Sequence, residues 1–210
     1  MATTPKTTQP RVALLGPESL NLPNCITISR MFLAIILFAL IQYEGYWLTA
    51  AILFVVAAAT DALDGYLARR YGQVTTLGRI LDPFVDKFII CGSFLFLLEK
   101  TADPNHQSGV NAWMVVVIIG REMFVSSLRG FLEQQGLDFS ADWAGKSKMI
   151  LQCMAVTGCL VSLSPDCQNS TVILIRDLLL WAAVGVTVWS GVSYVFRAAK
   201  LLGESSGKPE

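Results

Sequence analysis

The feature that most limits what this chain can fold into is a succession of long apolar segments. A helix needs about 20 mostly apolar residues to cross a bilayer, and six segments approach that length. They are residues 25–43, 46–71, 77–98, 110–132, 147–163 and 171–201. The fifth is short, and the sixth is long and carries Arg176 and Asp177 near its start. We therefore predict an all-α, polytopic membrane protein, a bundle of six transmembrane helices.

The composition also indicates a surface that faces lipid. Apolar residues make up 53% of the chain, charged residues make up 15%, and the mean hydropathy is +0.53. Soluble domains carry about 25% charged residues. The formal net charge is zero, so no broad basic field favours a nucleic-acid partner, and we expect none. The five cysteines have neither zinc-site nor CxxC spacing, and we interpret them as packing residues.

The chain divides into one membrane domain with a polar stretch at each end. Residues 1–20 lack the sustained apolar core of a signal peptide, so we predict a polar cytoplasmic tail there. Residues 21–202 form the predicted membrane domain, and residues 203–210 form a polar C-terminal tail. One set of connections holds nearly all the Lys and Arg residues, whereas the other clearly holds only Lys100. The positive-inside rule then places both termini in the cytoplasm.

Four aspartates lie within or beside the second and third apolar segments. Asp61 and Asp64 are three residues apart, and Asp82 and Asp86 are four apart, so each pair shares one face of its helix. A short connection makes the two helices antiparallel neighbours, and the pairs can meet near the cytoplasmic surface. Oxygen ligands of this kind suit two divalent ions, Mg²⁺ or Mn²⁺, which would bind a pyrophosphate. The alternative is ion pairing between helices without chemistry.

Small residues lie close to these carboxylates. Gly65 follows Asp61 by four residues, Ala68 follows Asp64 by four, and Gly78 precedes Asp82 by four. Without bulky side chains, these positions leave space above the metals for a flat group such as a nucleobase. The alternative explanation is close helix packing by small residues. Beside four carboxylates, we favour the pocket.

The stretch DALDGYLARRYGQVTTLGRILDPFVD, residues 61–86, matches the pattern D-x2-D-G-x2-A-R-x8-G-x3-D-x3-D at every fixed position. It resembles the signature of the CDP-alcohol phosphatidyltransferase family. The resemblance implies a six-helix membrane domain, two metals and a CDP-linked donor. It also implies that Asp61, Asp64 and Asp82 are metal ligands and that Asp86 is both a ligand and the general base. Arg69, also fixed in the pattern, joins the residues expected to bind the donor.

The start of the first helix resembles one branch of that family. The segment NCITISR, with Asn24, Thr27 and Arg30, is similar to the N-x-x-T-x-x-R motif at the start of phosphatidylglycerophosphate synthases. The resemblance implies that Thr27 and Arg30 bind the donor. The alternative is a helix cap at Asn24 with an arginine that snorkels to the membrane surface.

Two further segments are similar to the same branch, GREMFVSSLRGF and WAGKSKMILQ, with Met149 where threonine is usual. We predict that Arg121, Arg129 and Lys146 bind the phosphate of an anionic acceptor, because a guanidinium can hold two phosphate oxygens. Alternatively, Arg121 forms a structural pair with Glu122. We interpret Lys148 as a charge that meets anionic lipid headgroups, and the same role is the alternative for Lys146.

The expected reaction transfers the phosphatidyl group of CDP-diacylglycerol to glycerol 3-phosphate and releases CMP. Alternatives within the family use inositol phosphate, serine or phosphatidylglycerol as the acceptor. A transporter with intramembrane carboxylates and a membrane prenyltransferase are the other classes considered. Many relatives are expected to dimerise, so we expect a homodimer. We expect it among the lipids of a bacterial inner membrane, with its active site facing the cytoplasm.

Overall fold

The chain is helical throughout the parts that the computed structural model describes, which are residues 22–71, 76–102, 107–136 and 143–206. Side chains are described within 25–60, 81–102, 107–136 and 145–203. The helices are α1 (Leu22–Gln42), α2 (Trp47–Tyr71), α3 (Thr76–Lys100), α4 (Ala112–Gln134), α5 (Trp143–Leu163) and α6 (Ser170–Ser206). A short 3₁₀ helix, Pro165–Cys167, precedes α6. No strand occurs in these ranges, and the all-α prediction is confirmed.

Each predicted apolar segment corresponds to one helix, with differences at the ends. Helix α5 begins at Trp143 rather than at residue 147, because its first turn, WAGK, is helical although Gly145 and Lys146 interrupt the apolar pattern. Helix α6 continues to Ser206 and reaches 37 residues. Two helices of the described chain contain a stretch that is long and apolar enough to cross a membrane, Cys25–Gln42 and Ser170–Gly203.

The bundle has an apolar core and a largely apolar exterior. Helix α1 packs on α2 and α3, α5 packs on α2 and α6, and α4 packs on α6. Core side chains such as Leu37, Phe54 and Phe94 are fully buried. Phe196 and Trp113, in contrast, are 72% and 80% exposed on the outer surface. Large exposed apolar surfaces of this kind are typical of contact with a membrane or with another protein.

The connection between α3 and α4 is held against α6 by Arg176. Its Nη1 donates to the carbonyl oxygen of Gln107 at 2.6 Å, and its Nη2 lies 2.8 Å from Oδ1 of Asp177. Gly109 in this connection has φ +78°, a conformation that L side chains rarely adopt. A Cβ at Gly109 would lie 2.8 Å from Nε of Arg176. The glycine therefore permits both the turn and the close approach of the guanidinium.

We expect Gly109→Ala to destabilise the protein, because the left-handed conformation costs a side chain roughly 1–2 kcal/mol and the new methyl group would displace Arg176. The control is Gly185→Ala, on an exposed face of α6 where a Cβ meets nothing within 4 Å. That change should be neutral or stabilise the helix by about 0.5–1 kcal/mol. The unfolding temperatures of both variants are measured in detergent, with size-exclusion chromatography as the readout of folded protein. Equal unfolding temperatures for the two variants would contradict the role given to Gly109.

Candidate functional site

A hydrogen bond joins the first helix to one of the predicted metal ligands. Oγ1 of Thr27 in α1 donates to Oδ1 of Asp82 in α3 at 2.6 Å. Thr27 is buried, whereas Asp82 is exposed at the start of α3. The bond fixes one carboxylate oxygen of Asp82. Because Asp82 is exposed, a ligand can approach its other carboxylate oxygen.

Arg30 lies one turn after Thr27 and is only 1% exposed. Its side chain is therefore inside the bundle, and the alternative of an arginine that snorkels to the surface is wrong. The motif read at the start of α1 thus places a hydroxyl group and a guanidinium on the inner side of the helix. Both face the interior of the bundle rather than lipid.

Asp86 lies one turn after Asp82 and is half-buried. With Lys87, it lines a cavity of about 10 Å³, roughly the room that one water molecule needs. The other charged residues of this cavity are Glu122 of α4 and Lys148 of α5. The predicted general base is therefore beside a group of charges contributed by two other helices.

The remaining predicted residues of the signature lie outside the described side chains. Asp61, Asp64, Gly65, Ala68 and Arg69 belong to α2, and Gly78 belongs to α3, by backbone alone. Among the side chains that are described, no group of three or more His, Cys, Asp and Glu residues could hold a metal. The two described carboxylates do fit a site for Mg²⁺ or Mn²⁺, because they are oxygen donors one turn apart and Thr27 orients one of them.

A buried ion cluster lies next to the cavity. Glu122 of α4 and Lys148 of α5 form an ion pair through Oε1 and Nζ, and Nη1 of Arg121 lies 3.4 Å from the same oxygen. The side chains of these three residues are each 8–10% exposed. The interpretation of Lys148 as a charge for lipid headgroups is therefore wrong, because its ammonium group is inside the bundle. The contact between Arg121 and Glu122, which was the alternative to phosphate binding by Arg121, is present.

Helix α6 contributes three residues that were not among the predicted site residues. Nη2 of Arg121 donates to Oγ of Ser190 at 2.5 Å. The guanidinium of Arg121 also lies 5.3 Å from the ring centre of Tyr194, and that of Arg197 lies 6.0 Å from the same ring. Ser190, Tyr194 and Arg197 have spacings of four and three, which put them on one face of a helix. That spacing was the available signal of a polar face on α6, but the apolar residues around the three positions obscure it.

Arg121 and Arg129 still have hydrogen-bonding capacity. The Nε group of each is buried and has no hydrogen-bond partner among the described residues. Both belong to α4, eight residues or about 12 Å apart. A buried donor without a partner carries a free-energy cost, which an anion could remove. Lys146, in contrast, is exposed near the start of α5.

An apolar groove of about 650 Å³ runs between α2, α5 and α6. Ala58 and Ala59 of α2 form part of its wall, immediately before the acidic stretch that begins at Asp61. Met154 and Val161 line it from α5, and Leu179 lines it from α6. An apolar space therefore reaches within one turn of the first predicted metal ligand.

Comparisons with known proteins identify relatives of this chain. The chain is 36% identical over 188 residues to the CDP-diacylglycerol–glycerol-3-phosphate 3-phosphatidyltransferase of Bacillus subtilis (strain 168), covering 83% of this chain and 93% of that protein. Proteins of the same name from Rickettsia bellii and Pseudomonas fluorescens are 36% and 35% identical, over 182 and 189 residues. These matches cover 86% of this chain in both cases, and 96% and 90% of those proteins. The model of the CDP-alcohol phosphatidyltransferase family matches residues 20–189, and the chain therefore belongs to that family.

Proposed function

We propose that this protein transfers the phosphatidyl group of CDP-diacylglycerol to glycerol 3-phosphate, giving phosphatidylglycerophosphate and CMP. The observation that carries the proposal is the position of Asp86 beside the basic cluster of α4 and α5. A carboxylate that can accept a proton and cations that can hold a phosphate are what an anionic alcohol acceptor requires. The relatives named for this reaction support the same acceptor.

The metal site consists of Asp61, Asp64, Asp82 and Asp86, which would hold two ions of Mg²⁺ or Mn²⁺. The bond from Thr27 to Asp82 supports this assignment, because a metal-binding carboxylate is commonly oriented by a hydrogen bond from a neighbouring residue. When bound, the ions would neutralise charge on the pyrophosphate of the donor.

The donor lies between α1, α2 and α3 with its acyl chains toward the membrane. The groove between α2, α5 and α6, which reaches within one turn of Asp61, offers apolar volume for an acyl chain of this donor. The small residues of the signature leave room for cytidine. The donor-binding residues of the proposal are Thr27, Arg30, Gly65, Ala68, Arg69 and Gly78.

The acceptor binds on the side of α4 and α5. Arg121, Arg129 and Lys146 hold its phosphate, and the unpartnered Nε groups of the two arginines support their assignment. Asp86 accepts the proton of the 1-hydroxyl group of glycerol 3-phosphate. The hydroxyl oxygen forms a bond to the phosphorus that carries diacylglycerol, and the bond from that phosphorus to the oxygen of CMP breaks. CMP leaves with the electron pair.

The chain crosses the membrane six times in this proposal, with both termini and the active site at the cytoplasmic face. The apolar exterior of the bundle supports insertion, and the segregation of Lys and Arg residues supports the orientation. We place the protein in a bacterial inner membrane, as a homodimer among lipids. Residues 1–20 and 203–210 flank a membrane domain of residues 21–202.

The reaction is tested by supplying purified protein in detergent with CDP-diacylglycerol, Mg²⁺ and one acceptor at a time. We expect metal-dependent release of CMP with glycerol 3-phosphate, and none with inositol 1-phosphate, serine or phosphatidylglycerol. CMP release with a different acceptor alone would contradict the acceptor assignment. If none of them gives CMP while the protein stays folded, the enzymatic proposal fails, and ion flux in liposomes becomes the next measurement.

The role of Thr27 is tested through the metal dependence of the rate. We expect Thr27→Val to raise the Mg²⁺ concentration for half-maximal activity roughly 10- to 100-fold, because Asp82 loses its orienting donor. Thr27→Ser should keep most of the metal affinity because it keeps the hydroxyl group. The matched control is Ser29→Ala, which removes an exposed hydroxyl group that donates to the carbonyl oxygen of Ile26 within the same helix. An unchanged Mg²⁺ dependence in Thr27→Val would refute the role.

A further inference from the structure

The ion cluster at Glu122 joins two helices through a single oxygen atom. Oε1 of Glu122 accepts from Nζ of Lys148 on α5 and lies 3.4 Å from Nη1 of Arg121 on its own helix. Two cations therefore share one carboxylate, and the cluster retains a positive charge. Glu122 and Lys148 are only 6% and 7% exposed, so water compensates little of that charge.

Stability alone does not account for a pair of this kind. Removing water from both ions costs free energy, and replacing a buried ion pair by apolar residues of similar size is often neutral or stabilising. Removing only one partner is destabilising, because the other charge is left buried without compensation. The position of the pair distinguishes it from an ion pair that only stabilises the fold, because Glu122 and Lys148 line the same cavity as Asp86.

We propose that Glu122 is a positioning residue for the acceptor: it holds Lys148 beside Asp86 and draws Arg121 toward the same point, so that the excess positive charge faces the incoming phosphate. This inference rests on the proposed function and extends it. The phosphate brings the negative charge that the cluster lacks. Glu122 itself does not touch the acceptor, and its effect passes through the two cations.

The test compares single and double variants. Glu122→Gln leaves Lys148 without its carboxylate, and Lys148→Met leaves Glu122 with only the more distant Arg121, so both should lower the unfolding temperature. The double variant removes both charges and should recover much of that stability. We expect the KM of the double variant for glycerol 3-phosphate to remain roughly 10- to 100-fold above that of the wild-type protein. Its KM for CDP-diacylglycerol should be unchanged. A merely structural pair would give a double variant with normal acceptor kinetics as well as recovered stability, which would overturn the proposal.

Lys100→Met is the matched control. Lys100 is buried to a similar extent, at 8% exposure, and its Nζ donates to the carbonyl oxygen of Gln42. It lies at the other end of α3 from Asp86, about 21 Å along the helix. The same substitution there should lower stability and leave both KM values unchanged. A raised KM for glycerol 3-phosphate in this control would show a general effect of bundle stability and would contradict the assignment.

A second readout separates this inference from the reaction itself. We expect glycerol 3-phosphate to raise the unfolding temperature of the wild-type protein, and the double variant to need roughly 10- to 100-fold more of it for the same effect. This measurement requires no turnover, so it remains informative if CMP release fails. If neither glycerol 3-phosphate nor inorganic phosphate stabilises the wild-type protein, the proposed anion site is refuted.

Discussion

Every charge inside this apolar bundle has to be compensated where it lies, because burying an unpaired ion costs several kcal/mol. The described contacts meet part of that requirement by joining different helices, and the cluster around Glu122 keeps an excess positive charge. Thr27 of α1 bonds to Asp82 of α3, and Lys148 of α5 pairs with Glu122 of α4. At the far end, Arg176 of α6 holds the connection between α3 and α4. The polar contacts are thus also what fixes the helices relative to one another.

The same requirement explains how the fold supports the proposed chemistry. Asp86 lies between two polar regions, with Asp82 and Thr27 on one side and the cluster of Glu122 and Lys148 on the other. The first region carries negative charge for metal ions, and the second carries positive charge for a phosphate. In the proposed reaction, transfer from a lipid donor to a water-soluble acceptor requires the negative region and the positive region to lie on either side of one general base, Asp86. The cavity at Asp86 has room for only about one water molecule, so Asp86 lies close to the cluster of Glu122 and Lys148.

Much of the architecture follows from the sequence because it depends on local patterns. Runs of apolar residues located all six helices, and the signature located Asp82 and Asp86 one turn apart on α3. The interpretation of Lys148 failed because the positive-inside rule counts charges and contains no information on a partner in another helix. Tyr194 and Ser190 were missed for a related reason. Their spacing in α6 indicates that they share one face, but their contact with Arg121 spans α4 and α6, and spacing within one segment does not reveal a partner in another helix.

The claim on which this account depends is that the four aspartates converge on two metal ions. The most direct test is diffraction from crystals grown with Mn²⁺, with anomalous differences measured at the manganese edge. The account predicts two peaks about 3.5–4 Å apart, between α2 and α3 and within bonding distance of Asp61, Asp64, Asp82 and Asp86. No peak there, or peaks only at other surfaces of the protein, would contradict it.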